Sequence, residues 1–341
     1  MEILPDLAAG GILVCLVLYA ATGGADFGAG VWELLNRGPR AQARKALIVE
    51  AIGPVWETNH IWVVVAVVIL FTAFPKAYAI LSTALFLPFT LILAGIVLRG
   101  SAFAFHAHRV HEEGKTGAWR GVFAAASLVT PFLLGVTLGA VAAGGIRGTD
   151  LRSFSATAGA WLAPFPLSVG LLTLAASAYL AAVYLTLETD DSALSEDFRD
   201  RALGALAVMA ILSAGVLLLS RGGAPDFYRS LTGGRWSAVL VAAEVVATVG
   251  AAASLARHAY PVARTCAAAQ VTVLLGGWGL AQYPFLVRPE LTIPAAAASP
   301  ATLRPLLVAL AAGGALLFPA IYLLLRLFKK EALRGRRTTR R

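Results

Sequence analysis

The sequence predicts an all-α integral membrane protein of about nine transmembrane helices, and three observations carry that prediction. Of its 341 residues, 58% are hydrophobic and only 14% charged, against about 45–50% and about 25% in a soluble domain. Apolar runs of about twenty residues, long enough to cross ~30 Å of hydrocarbon as helix, recur along the whole chain. Strict alternation over about ten residues, the mark of a barrel strand, is not found. Mean hydropathy is +0.76, and the polar connectors are short, so residues 1–341 read as a single polytopic membrane domain.

The spans follow in order. Leu7–Leu35 contains the glycine-rich "ATGGADFGAGVW". Ala46–Phe74 carries "EAIGPVWETNHIW" at its mouth and a long apolar run behind it. Tyr78–Phe105 passes through Arg99, and Trp119–Ala143 and Trp161–Leu187 are almost wholly apolar. The acidic "TLETDDSALSEDFRDR" reads as a solvated loop before Ala202–Ser220. "SRGGAPDFYRSLTGGR" reads as a second loop, from its glycines and proline. Trp236–Ala256 holds Glu244 in mid-span, and Thr265–Leu286 holds Gln282 in "GLAQYPF". A third loop, "VRPELTIPAAAASPATLRP", leads into Pro305–Phe328 and the basic tail 329–341. No internal repeat is apparent.

The net charge of +9 would suggest a nucleic-acid partner in a soluble protein. Here the basic residues gather at span ends and in the tail, where they report orientation instead. An odd number of spans puts the two ends on opposite sides. Arg37, Arg40, Arg44, Lys45, Arg99, Arg109, Lys115, Arg120, Arg199, Arg201, Arg257, Arg264, Arg326 and the tail then share one side, twenty basic residues against eight on the other, which the positive-inside rule makes cytoplasmic. The amino terminus is expected outside and the carboxyl terminus inside. "MEILPDL" lacks a basic n-region, so no cleaved signal peptide is expected. Cys15 and Cys266 lie in apolar runs and suggest neither a disulfide framework nor a metal site.

An ionisable group in hydrocarbon needs a partner or a purpose. Asp26 sits well inside the first span among glycines, which let another helix or a water approach its backbone. Glu50 and Glu57 are seven residues apart, so on a continuous helix they share one face, about 10 Å apart along the axis. His60 follows Glu57 at i+3, and Pro54 predicts a kink between the two acids. Entered from the cytoplasm, the second span brings Glu57 and His60 roughly 15 Å inward, near the depth of Asp26. A staggered set of carboxylates and imidazole suits proton movement; a static hydrogen-bonded cluster is the alternative. Arg99 either snorkels to the surface or pairs with a buried acid. Glu244 asks for a partner that the sequence does not name, and Gln282 either packs or meets a lipid or quinone headgroup. His106, His108 and His111 read as part of a solvated connector. Only His60 lies clearly within a span, so the chain alone is a poor multi-haem protein. Walker and dinucleotide fingerprints are absent.

In this order and spacing, "GGADFGAGVW", the "PVW-acid-x-N-x-x-W" segment, the "F-x-A-F-P-x-x-Y-A" turn and the "L-R-G-x-A-F" ending resemble subunit II of the cytochrome bd-type quinol oxidases, most strongly over Ala20 to Phe105. The resemblance implies two four-helix bundles plus a peripheral helix. That places the motif-bearing bundle in 1–143, the second bundle and peripheral helix in 161–328, and a cytoplasmic tail in 329–341. It implies a bacterial inner-membrane complex with a haem-bearing subunit I, which holds two b haems and a d haem and oxidises quinol, and it leaves room for a small single-helix accessory subunit. This chain would bind no cofactor and no metal itself. It would support subunit I and line a cytoplasmic proton route for the reduction of oxygen to water. On that pattern Asp26 and Glu57 match the family's buried acids, and Trp62 its gas-path tryptophan. Glu50, His60 and Arg99 are the further candidates of the route.

The chain departs from the family at Glu57-Thr58, where Asp-Gly is usual, at Glu50, where Asn is common, and at His60, often Glu or Gln. "AFAFHAH" replaces "AFEFR", losing an acid at Ala104 and an arginine at His106. These departures keep a related complex with other redox chemistry in view. A non-catalytic assembly scaffold and a secondary transporter are the remaining alternatives, the last weakened by the lack of an inverted repeat.

Overall fold

The computed structural model describes residues 3–52, 56–108, 116–148 and 154–338. Within those helices the side chains of 52, 56–57, 105–108, 116–118, 120, 154–156, 321–322 and 324–338 lie outside the description.

The chain is helical almost throughout. In order come α1 (Ile3–Leu34), α2 (Ala41–Ile52), α3 (Trp56–Ala73), α4 (Pro75–Ala84), α5 (Phe86–His108), α6 (Thr116–Ala143) and α7 (Phe154–Trp161). Then follow α8 (Pro164–Leu185), α9 (Ser192–Gly223), α10 (Pro225–Gly233), α11 (Ser237–Ala256) and α12 (Tyr260–Gln282). A two-stranded antiparallel hairpin, β1 (Phe285–Val287) with β2 (Leu291–Thr292), precedes α13 (Ile293–Ala296) and the long α14 (Pro300–Thr338).

Among the described residues, seven helices are long and apolar enough to cross a membrane: α1, α5, α6, α8, α9, α11 and α14. An eighth exists if α3 and α4 form one span, although the chain bends by 120° between them. Pro75 causes the break. It opens α4 at its first position, where a missing N–H costs nothing, and it keeps Phe74 out of helical geometry at φ −136° and ψ 59°. The span expected from Tyr78 therefore begins as α4 and crosses as α5. The expected Thr265–Leu286 falls on α12, which has the length but not the hydropathy, because Arg264, Gln270, Thr272 and Gln282 interrupt it. Residues 53–55, including the predicted kink at Pro54, lie outside the described residues.

Three connectors hold more structure than their composition suggests. The acidic stretch before Ala202 is the opening of α9, capped by Asp191, whose side chain accepts from the Ala193 N–H at 2.9 Å. The Asp191 carboxylate there meets the positive end of the helix dipole. The second expected loop contains α10, and the third contains the hairpin and α13.

α1 and α8 form the centre. α1 packs on α3, α6, α8 and α12, and α8 packs on α1, α6, α9 and α12. One buried cluster joins Tyr19 and Phe27 of α1 to Trp62, Ala66 and Ile69 of α3 and to Val136 of α6. A second joins Tyr179 and Leu180 of α8 to Met209 of α9, Leu255 of α11 and Val271 of α12.

Candidate functional site

The glycines around Asp26 are contact points. A Cβ on Gly28 would lie 1.9 Å from the Ser177 backbone oxygen, and one on Gly30 would lie 2.3 Å from the Ser127 Cβ. Only hydrogen fits at these positions, so α1 is held tightly against α8 on one side and α6 on the other. Asp26, on the same stretch of α1, is 5% exposed.

Two side chains from other helices meet this residue. Asn59, buried near the start of α3, donates its amide N–H to Asp26 Oδ2. Arg99 of α5, only 1% exposed, donates from Nη2 to the Asp26 backbone oxygen at 2.7 Å. Its guanidinium also lies 4.9 Å from the Phe27 ring centre and 5.2 Å from that of Phe123 on α6. Burying a guanidinium is costly unless its donors are used; here one donor is used, two aromatic rings lie beside the group, and Nε is left without a partner among the described residues. Arg99 therefore does not snorkel.

His60 stacks on Phe27 with ring centres 6.1 Å apart and meets Tyr19 edge-on at 5.9 Å. Among the described residues, neither ring nitrogen has a hydrogen-bond partner, nor do the Tyr19 hydroxyl and Arg99 Nε. Trp62 is buried and packs on Phe318 of α14, with ring centres 5.8 Å apart. Glu50 is exposed on α2. The side chain of Glu57 lies outside the described residues, so the face expected to join it to Glu50 does too. The structure thus gathers Asp26, Asn59, His60 and Arg99, with Tyr19 and Phe27 beside them. Asn59 was visible in the sequence only as a letter of a motif, because an amide in an apolar run raises less alarm than a charge.

Two other polar groupings were missed. Arg44 is buried and donates to Asp197 Oδ2 at 2.6 Å, Asn36 Oδ1 at 2.9 Å and the Arg37 carbonyl at 2.7 Å. Arg40 joins it on Asp197, with Nε 2.9 Å from Oδ2. This knot ties the end of α1 and the start of α2 to the first turns of α9. Glu244 finds its partner in Gln270 at 3.4 Å, which also donates to Thr248 at 2.8 Å and accepts from the Tyr179 hydroxyl at 2.8 Å. Gln282 is buried, and neither of its amide atoms has a partner among the described residues. The side chains of His106 and His108, and all of His111, lie outside those residues. Among the described residues, no three His, Cys, Asp or Glu side chains are grouped to hold a metal ion.

The family model described as cytochrome bd terminal oxidase subunit II matches residues 4–328. The chain belongs to this family. Subunit 2 of the cytochrome bd ubiquinol oxidase of Bacillus subtilis (strain 168) is 30% identical over 126 residues, 37% of this chain and 36% of that one. A second protein of the same strain aligns at 23% identity over 92% of both chains. The structure of the bd oxidase from Geobacillus thermodenitrificans superposes with a TM-score of 0.76, at 24% identity, over 96% of this chain and 99% of that one. The first of these alignments spans about a third of its relative's length. The 24% identity to the solved structure supports the fold, a multi-pass all-helical membrane protein of the bd oxidase family.

Proposed function

We propose that this chain acts as the haem-free subunit II of a membrane-bound bd-type quinol:oxygen oxidoreductase, beside a haem-bearing subunit I, with its amino terminus outside and its carboxyl terminus in the cytoplasm. The observation that carries this reading is the buried carboxylate of Asp26, held from α3 by Asn59 and flanked by the Arg99 guanidinium, in a chain of this family.

In the proposed route, Glu50 takes protons at the cytoplasmic surface, where it is exposed. Glu57 and His60 carry them inward beside Asp26. Asn59 binds Oδ2 and leaves Oδ1 of Asp26 to receive a proton. Arg99 fixes the backbone at that point and keeps positive charge near the carboxylate. Trp62, in the apolar contact with α14, lines the path for gas. In this chain His60 packs against Phe27 and Tyr19; we assign the haems to subunit I, as the family pattern implies. No step in this chain runs through them.

Affinity purification of the tagged chain in mild detergent tests this reading. A co-purifying haem-bearing subunit with quinol-dependent oxygen uptake is expected; a chain that purifies without haem-bearing partner defeats it. The departures at Glu57, His60 and Ala104 favour one second reading, a related complex with other redox chemistry. In that case haem co-purifies but quinol-driven oxygen uptake is lacking.

A further inference from the structure

α9, with 32 residues, is about 48 Å long and separates two polar ends of the molecule. The knot of Arg40, Arg44 and Asp197 lies at one end. At the other, α10 and the β1–β2 hairpin border an open cavity of about 370 Å³ lined by Asp226, Arg229, Ser230, Phe285, Arg288 and Pro289. We propose that this cavity binds a phosphate group, that of an acidic phospholipid headgroup.

Arg288 is the first reason. It is only 6% exposed. Its Nη2 donates to the Ala281 carbonyl and to Ser230 Oγ at 3.2 Å, and its guanidinium lies 5.2 Å from the Phe285 ring centre. Its Nε is buried with no partner among the described residues. A buried guanidinium with an N–H lacking an acceptor is under-compensated, which favours an anion beside the group in the cavity. The charge balance is the second reason. Two guanidinium groups line the cavity against one carboxylate, Asp226, and that carboxylate is already paired with Arg229. The neighbouring Glu290 is turned away, accepting from the Gly148 N–H at 2.8 Å. Size agrees, since about 300 Å³ and upward is the range of small-ligand pockets. Depth selects the source of the phosphate. Trp236 and Tyr283, 55% and 56% exposed, flank α10 and the hairpin, as amphipathic rings do at the level of lipid headgroups.

The test is native mass spectrometry of the whole delipidated complex, titrated with phosphatidylglycerol, with phosphatidylcholine and, in separate runs, with inorganic phosphate. Arg288→Lys removes the buried N–H. Arg229→Gln alters a side chain that is 75% exposed and leaves the fold intact. Phosphatidylglycerol bound by the unaltered complex, preferred over phosphatidylcholine and weakened about tenfold or more by each variant, supports the lipid site. Inorganic phosphate bound with the same dependence on both arginines, without a lipid preference, assigns the cavity to a free anion instead. Binding of neither, or binding unchanged in Arg229→Gln and Arg288→Lys, overturns the proposal.

Discussion

Replacing Gly28 by alanine perturbs the centre of the molecule by a single methyl group. That methyl would start 1.9 Å from the Ser177 oxygen, and ordinary contact begins at 3.4 Å. The atom it meets is backbone, so no rotamer can relieve the clash, and α1 and α8 must part by about 1.5 Å. Displacing the α1 backbone by that much disturbs the 2.7 Å bond that the Asp26 oxygen accepts from Arg99, which has only about 0.5 Å to spare. Overpacking costs about 1–3 kcal/mol, and losing a hydrogen bond from a charged donor costs about 1.5–3 kcal/mol. Alanine's better helix propensity returns about 1 kcal/mol. The expected net loss is about 1.5–5 kcal/mol. Gly10 lies on the same helix, and a Cβ there meets nothing within 4 Å, so Gly10→Ala is the control and should be neutral or slightly stabilising. The assay is the loss of folded complex on heating at a fixed scan rate, with turnover per complex measured on the same samples. Gly28→Ala should melt well below both Gly10→Ala and the unaltered protein. Equal melting of the two variants would refute the close approach of α1 and α8, and with it the account of how Asp26 is held.

Further expectations concern the other polar contacts. Asp197→Asn removes the charge that faces buried Arg44 and should destabilise by about 3–5 kcal/mol, whereas Arg40→Ala, at a side chain 52% exposed, should cost no more than about 1 kcal/mol; the same melting assay reads both. Gln270→Leu leaves Glu244 and the Tyr179 hydroxyl without their shared partner and should lower stability by about 2 kcal/mol or more. Tyr179→Phe, which frees only the amide oxygen, should cost about half of that. Asn59→Ala should disturb turnover more than Asn59→Asp disturbs assembly if the contact serves the acid, and a silent Asn59→Ala would remove it from the site.

The all-helical membrane fold was legible because twenty apolar residues have few alternatives in a bilayer. Asp26 and Arg99 announced themselves as charges in apolar runs. Asn59 did not, since an amide is cheap enough to be ordinary. The knot of Arg44 and Asp197 joins residues 153 positions apart, and each half read locally as something else: an orientation signal in one case, a solvated loop in the other. Helix α10 was hidden by the glycines on both sides of "PDFYRSL", which read as loop punctuation. The cavity beside it depends on Arg288 folding back from the hairpin onto the end of α12, a contact no periodicity reports. Pro75 was visible as part of a turn motif, but the size of the bend depends on how α4 packs beneath α3.

The central claim is that Asp26 belongs to a proton route that serves a haem-bearing partner. The most direct measurement is quinol-driven oxygen uptake, per haem, of the complex carrying Asp26→Asn. Asparagine keeps the shape and can still accept from Asn59, so the haem spectrum should be unchanged. Turnover should fall by at least about a hundredfold, the lower end of what a positioned proton carrier supplies. Turnover equal to that of the unaltered complex, with the haem spectrum intact, would contradict the account.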